Sequence, residues 1–433
     1  MIVLKMTAFN ETAYSSEMTF VDALVCKECG KRFPPGIRNA CDECFAPLEV
    51  RYSIESVREI FSRKFIASGP QSIWRYWPVL PAGRFEGEKG LNPGMTPLRD
   101  CRNLAKKLGV KRLLVKDDTV NPTYSFKDRP VAVSISKIFE FGLNGAGCAS
   151  TGNLAGATAA ASAKYGIPCY VLIPSGTDRG KVISALAYGA TVLEVNGTYD
   201  DANRLSNLIA DRHSIGFVNI NLRPYYVEGS KTIAMETVEQ LGWDTPDSVI
   251  VPMGSGALLT AVSKGLEELK EIGLIPDSEV QICGAQPSGC STIAAAYISG
   301  RDSIIPVEKP ETVAESLAIG DPASGYEALS IIRKSGGFAD APEDSEIVEG
   351  QLLLARHEGI FAEPAGGTVI ASLKRKIEDG TISNDQTVVC LITGNGLKTL
   401  RHLEDGSAGK TVSIGNSIQG LDGLFESNGR RVN

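Results

Sequence analysis

From Arg112 onward the chain alternates short β-branched runs with longer helical stretches, and this alternation limits the fold more than any other feature. Residues 113–116, 169–173, 191–195, 248–252 and 280–284 read as strands. Residues 128–141, 154–165, 181–188, 200–212, 230–241 and 258–272 read as helices between them. Strands separated by helices pair in parallel, so an α/β fold with parallel sheets flanked by helices is expected. A chain of 433 residues with 43% hydrophobic content can bury a large core, and its length suggests two main domains plus a small N-terminal module. No internal repeat stands out.

Composition excludes several classes of function. A net charge of -7 gives no electrostatic footprint for nucleic acid. No apolar run is long enough to span a bilayer, and residues 1–20 do not read as a secretory signal. Cys101, Cys148, Cys169, Cys283, Cys290 and Cys390 lie mostly in apolar runs, where free cysteine behaves as a small hydrophobe. They read as core thiols of a reducing, cytoplasmic compartment. His213, His357 and His402 show no partner pattern and read as surface or capping residues, which argues against a histidine-based hydrolase.

Four segments carry the chemistry. Asn121-Pro122-Thr123-Tyr124-Ser125-Phe126-Lys127-Asp128-Arg129 places Lys127 where a helix opens, against the positive end of its dipole, a setting that favours a neutral, Schiff-base-forming amine. Ala149-Ser150-Thr151-Gly152-Asn153 crowds polar side chains at another helix start, where they serve either as caps or as an anion site. Pro252-Met253-Gly254-Ser255-Gly256-Ala257 runs from a buried strand through small residues into a helix, a phosphate cradle in outline without the spacing of a dinucleotide fingerprint. Ile392-Thr393-Gly394-Asn395-Gly396 ends another buried strand in a hydroxyl and glycines; alone it is an ordinary strand-to-helix turn. Nearer the N-terminus, Cys26, Cys29, Cys41 and Cys44 form two CxxC knuckles with zinc-ribbon spacing, and a four-thiolate site is structural because it leaves no open position for water.

In this order the segments resemble the pyridoxal-phosphate enzymes of the tryptophan-synthase-like fold (fold type II), and most of all the threonine synthase family. Residues 94–98, 223–231, 316–322 and 363–367 extend the likeness, as does the cysteine module, so that it runs from about residue 20 to about residue 405. The resemblance implies a zinc-ribbon-like module at 21–55, a large domain from 56–139 and 226–405, and a small inserted domain at 140–225 with the cofactor in the cleft between. Residues 1–20 and the Gly-, Ser- and Asn-rich stretch 406–433 are expected to be a flexible lead and tail. Lys127 would hold pyridoxal phosphate as a Schiff base and shuttle protons. Asn153 would stand beside the ring oxygen, Gly254, Ser255, Gly256 and Ala257 would bind the cofactor phosphate, and Thr393 would face the pyridine nitrogen.

For the substrate, the family implies O-phospho-L-homoserine, with Ser150, Thr151 and Asn153 around its carboxylate and Asn219, Asn221 and Arg223 at its phosphate. Two departures matter: Ser255 replaces a common asparagine, and the arginine expected where Tyr226 stands is found at Arg223. Lys116 and Lys231 are further cations near these segments, with structural roles as their default reading. A threonine or serine dehydratase, or a β-replacement enzyme, is the alternative within the fold; a non-catalytic binding protein is the alternative outside enzymes. Relatives of this kind are often homodimers.

Overall fold

The computed structural model describes residues 19–82 and 89–404, with residues 409, 411, 413 and 414. The expected flexible lead and tail lie outside these residues, apart from positions 19 and 20 and those last four. Among the described residues there are three sheets. Six strands, Ala339–Asp340, Gln281–Ala285, Ser248–Pro252, Thr387–Ile392, Arg112–Asp117 and Leu98–Asp100, form the largest in that order. All its pairings are parallel except the edge strand Leu98–Asp100. A second sheet, Thr191–Val195, Cys169–Pro174, Gly145–Ala149 and Ile215–Phe217, is wholly parallel. The third is a small antiparallel sheet of Arg32–Phe33, Val21–Cys26 and Leu48–Tyr52 that carries the first cysteine knuckle.

The central strands show no alternation of exposure. Every residue of Ser248–Pro252 is buried, as a parallel strand covered on both faces by helices requires. Gly145–Ala149 is equally buried yet has the sequence GAGCA, with none of the β-branched residues that announced its neighbours. The helix expected at 181–188 is instead a single turn, Arg179–Lys181, and a short helix, Ile183–Ala187. The one expected at 230–241 is preceded by another, Arg223–Ser230, which begins with Pro224 in its first turn. Among the described residues four more helices lie beyond 272: Thr292–Ile298, Gly325–Lys334, Asp344–Glu358 and Pro364–Glu378. Among the described residues no helix is long and apolar enough to cross a membrane. The six cysteines outside the knuckles are all buried and free.

Two buried charge networks tie these layers together. Arg129, fully sealed from solvent, donates to Asp118 at 2.6 and 2.8 Å and to Glu236 at 2.6 and 2.8 Å. Lys116 pairs with Glu236 at 2.8 Å and donates to the Thr96 carbonyl at 2.7 Å, so two cations face two carboxylates. Burial alone would raise the Glu236 carboxyl, but Arg129 and Lys116 hold it down at about 2. In the second network Lys231 lies between Glu228 and Glu268, at 2.6 and 2.7 Å, while Tyr52 donates to Glu228 at 2.8 Å. Lys264 donates to the Val50 carbonyl at 2.7 Å and to Glu228 at 2.6 Å, which pins the cysteine module to the core. Lys116 and Lys231 are therefore structural, in agreement with their default reading.

Removing one partner of a buried pair leaves an uncompensated charge, so Glu236→Gln should lower the free energy of unfolding by roughly 3–5 kcal/mol. Lys374→Met, which breaks the solvent-exposed pair with Glu349, should cost under about 1 kcal/mol. Urea denaturation of the two variants measures both; equal losses would contradict the assignment of the network as a buried support.

Candidate active site

Three adjacent parallel strands bring the chemistry to one edge. Thr387–Ile392 pairs with Ser248–Pro252 on one side and with Arg112–Asp117 on the other. The segments leaving their carboxyl ends are Thr393–Gly396, the Gly254–Ala257 loop and the turn that leads to Lys127. This edge is where ligands bind in open α/β sheets.

The lysine turn is held from both sides. Asp128 accepts from the Thr123 N–H and hydroxyl, both at 2.7 Å. The Phe126 N–H donates to the Thr393 carbonyl at 2.9 Å, and the Asn395 N–H to the Tyr124 carbonyl at 3.1 Å, so the turn lies along the end of the neighbouring strand. Lys127 occupies the N-cap of Asp128–Glu140. Its amine lies 4.6 Å from the centre of the Phe126 ring and 6.0 Å from that of Tyr226, with no hydrogen bond or ion pair among the described residues.

Beside it, Asn153 donates to both oxygens of Glu363, at 3.1 and 2.9 Å. Glu363 is the N-cap of Pro364–Glu378 but its side chain does not cap that helix. It reaches instead past Gly394, where an added Cβ would come 2.3 Å from its Oε2. Burial raises the Glu363 carboxyl above the usual range. Thr393 is 5% exposed, and its hydroxyl has no hydrogen-bond partner among the described residues. Lys398 donates to the Thr123 carbonyl at 2.7 Å.

The Gly254–Ala257 loop meets residues 316–324: the Ser324 N–H donates to the Ser255 carbonyl at 2.9 Å. Gly256 has φ +83, and a side chain there would strike the Ser324 carbonyl at 2.8 Å. As the N-cap of Ala257–Ile272 it brings no side chain to the helix's first N–H groups. Thr151, the N-cap of Gly152–Tyr165, likewise makes no side-chain cap hydrogen bond, so the capping alternative for this segment is not realised.

The amides of Asn219 and Asn221 are engaged with backbone. Asn219 brackets the N–H and carbonyl of Ala149, each at 3.3 Å, and Asn221 joins the Phe217 N–H to the Ile215 carbonyl. Arg223 differs: its half-buried guanidinium makes no hydrogen bond or ion pair among the described residues, and the charged and phenolic groups that act on it are Glu327 and Tyr226. It lines a cavity of about 640 Å³ with Lys27, Ser324 and Glu327. Tyr226, three residues along the same helix, is the residue turned to Lys127.

The four sulfurs of Cys26, Cys29, Cys41 and Cys44 lie within 4.8 Å of one another, with Cys26–Cys44 at 3.4 Å and Cys29–Cys41 at 3.7 Å. Tetrahedral zinc with four thiolates places sulfurs about 3.8 Å apart, so the donor set fits. The Cys29 backbone N–H leads the interactions that lower the Cys26 thiol to about 7.

Pyridoxal phosphate fits the edge: among the described residues a lysine amine without a hydrogen-bond partner, a helix start whose N-cap glycine brings no side chain, and the unpaired Thr393 hydroxyl lie at the ends of adjacent strands. Comparison agrees. The pyridoxal-phosphate dependent enzyme family matches residues 90–394. The chain is 41% identical over 374 residues to the threonine synthase of Methanocaldococcus jannaschii, covering 86% of this chain and 92% of that protein. It is also 41% identical over 377 residues to the threonine synthase of Methanosarcina acetivorans, covering 87% and 92%. The processed form of threonine deaminase isoform 2 from Solanum lycopersicum shares the fold, with a TM-score of 0.62 at 18% identity over 91% of this chain and 99% of that one. The chain belongs to the pyridoxal-phosphate dependent enzymes of fold type II and, within them, to the threonine synthase family.

Sequence reading missed Glu363 as the partner of Asn153 and Tyr226 as a neighbour of Lys127. Glu363 precedes a proline at a helix start, which reads as a cap, and Tyr226 drew notice only for the arginine it replaces.

The Asp128 carboxyl is pushed up to about 6 by burial, against the pull of its hydrogen bonds from Thr123. A raised acid contributes its stability fully below the ordinary value of 3.8 and loses it as pH rises through about 6. Relative to Asp128→Asn, the wild type should therefore lose up to about 3 kcal/mol between roughly pH 4 and pH 7. Urea unfolding across that range reads the difference, and a flat difference would mean that Asp128 titrates as an ordinary aspartate.

Proposed function

We propose that this protein converts O-phospho-L-homoserine and water to L-threonine and phosphate, by elimination of phosphate from the γ-carbon and hydration at the β-carbon. The half-buried Arg223 guanidinium, without a hydrogen bond or ion pair among the described residues and one helical turn from the Tyr226 that faces Lys127, is the observation that carries the reading. A planar guanidinium binds phosphate with two parallel hydrogen bonds and keeps its charge.

Roles follow from position. Lys127 would hold pyridoxal phosphate, which when bound supplies an electron sink for charge developing at the substrate's α-carbon. The tethered Lys127 amine is placed to move protons among the α-, β- and γ-carbons. Asn153, oriented by Glu363, would stand at the ring oxygen. Gly254, Ser255, Gly256 and Ala257 would offer their backbone to the cofactor phosphate, and the Thr393 hydroxyl would donate to the ring nitrogen without charging it. Ser150 and Thr151 would meet the substrate carboxylate. Asn219 would hold the Ala149 backbone just before them, while Asn221 shapes the approach to Arg223. In balance, the Cγ–O bond breaks and phosphate leaves with its bridging oxygen. One proton leaves Cβ and one enters Cγ, water adds its hydroxyl to Cβ, and its remaining proton passes to the released phosphate.

This reading places the cleft between a large domain, 56–139 with 226–405, and an inserted domain, 140–225. The division of the two parallel sheets between these segments supports it. Cys26, Cys29, Cys41 and Cys44 would hold one structural zinc ion. We assign the protein to the cytoplasm as a homodimer; the buried free thiols suit the reducing compartment.

Lys127→Ala should abolish both the cofactor's absorbance and turnover; retained turnover would refute the lysine's role. Arg223→Ala should raise KM for O-phospho-L-homoserine about tenfold to a hundredfold and leave the cofactor absorbance unchanged. An unchanged KM would remove Arg223 from the site. Elemental analysis should find about one zinc per chain, falling to near zero in Cys29→Ser/Cys44→Ser; equal metal content in both would contradict the ligand assignment.

A further inference from the structure

Several glutamates line the cavity that holds Arg223, and the one whose charge acts on its guanidinium is Glu327, in the first turn of Gly325–Lys334. An unpaired guanidinium and an unpaired carboxylate in one cavity would join each other and exclude an incoming phosphate. Here they do not. Both oxygens of Glu327 are taken by the Lys27 ammonium, at 2.8 Å each. Lys27 stands inside the first cysteine knuckle, between Cys26 and Cys29, 300 residues from its partner. The pair is too exposed, at 27% and 39%, to contribute much to stability. What it does is local: it occupies both carboxylate oxygens of Glu327, which makes no hydrogen bond to Arg223.

We propose that Lys27 is a positioning residue for substrate specificity, which by engaging Glu327 keeps the Arg223 guanidinium open to the substrate's phosphate and so makes the cysteine module part of the substrate site. The inference rests on the reading of Arg223 given above. It also accounts for the displaced arginine. Carried at position 223, the guanidinium faces Glu327, and the knuckle supplies the counter-cation that this arrangement needs.

The test is a set of variants of the full-length holoenzyme, assayed with O-phospho-L-homoserine and with inorganic phosphate as inhibitor. Lys27→Met should raise KM about tenfold and weaken phosphate inhibition in parallel, with kcat and cofactor absorbance unchanged. Lys27→Arg should retain the wild-type KM. Lys27→Met/Glu327→Gln should return KM to near the wild-type value, because the competing carboxylate is gone. On the Arg223→Ala background, Lys27→Met should add nothing. An unchanged KM in Lys27→Met would overturn the inference. So would a rise that Glu327→Gln does not relieve, since that is what loss of module support alone would give. If Arg223→Ala itself leaves KM unchanged, the phosphate reading falls; if only Lys27→Met does, the phosphate reading stands and the role of Lys27 falls.

Discussion

A guanidinium sealed from water cannot be left unpaired, and Arg129 is such a group, two residues after Lys127, the lysine proposed to hold the cofactor. Its partners come from separate parts of the chain: Asp118 follows the strand Arg112–Asp117, and Glu236 lies on the helix Thr232–Gln240. Satisfying Arg129 therefore fixes the start of Asp128–Glu140 against both elements at once. Lys127, at the N-cap of that helix, inherits the placement. Asp128 adds a local restraint by closing the turn onto Thr123.

The active edge is built by adjacency. Because Thr387–Ile392 lies between Ser248–Pro252 and Arg112–Asp117, the hydroxyl of Thr393, the glycine loop and the lysine turn emerge together although they are far apart in sequence. The second sheet contributes Asn153, whose amide reaches across to Glu363 on the helix that follows Ala362. This contact joins residues 210 positions apart and ties the helix that follows a strand of the second sheet to the end of the strand Thr387–Ile392.

The strand and helix alternation was legible because apolar β-branched runs and helical periods differ in pattern, and five of the parallel strands follow it closely. Gly145–Ala149 was not, since its small residues carry no strand preference and its place is set by its neighbours in the sheet. Lys127, Asn153, the glycine loop and Thr393 could be picked out because each stands at a strand or helix end with a distinctive local motif. Glu363 had no such mark; its role as the partner of Asn153 exists only once distant elements meet. The pairing of Lys27 with Glu327 is invisible for the same reason, while the four cysteines announced themselves by spacing.

Conversion of a phosphorylated amino acid by elimination leaves a bond signature that no relative of the same fold acting on an unphosphorylated amino acid would share. Elimination breaks the carbon–oxygen bond, so phosphate should leave with its original bridging oxygen while water supplies the hydroxyl of threonine. The direct measurement is turnover of O-phospho-L-homoserine in oxygen-18 water, with both products read by mass spectrometry. Threonine carrying the heavy oxygen, in step with unlabelled phosphate, is the predicted result. Labelled phosphate with homoserine, or no turnover of this substrate beside turnover of serine or threonine, would contradict it.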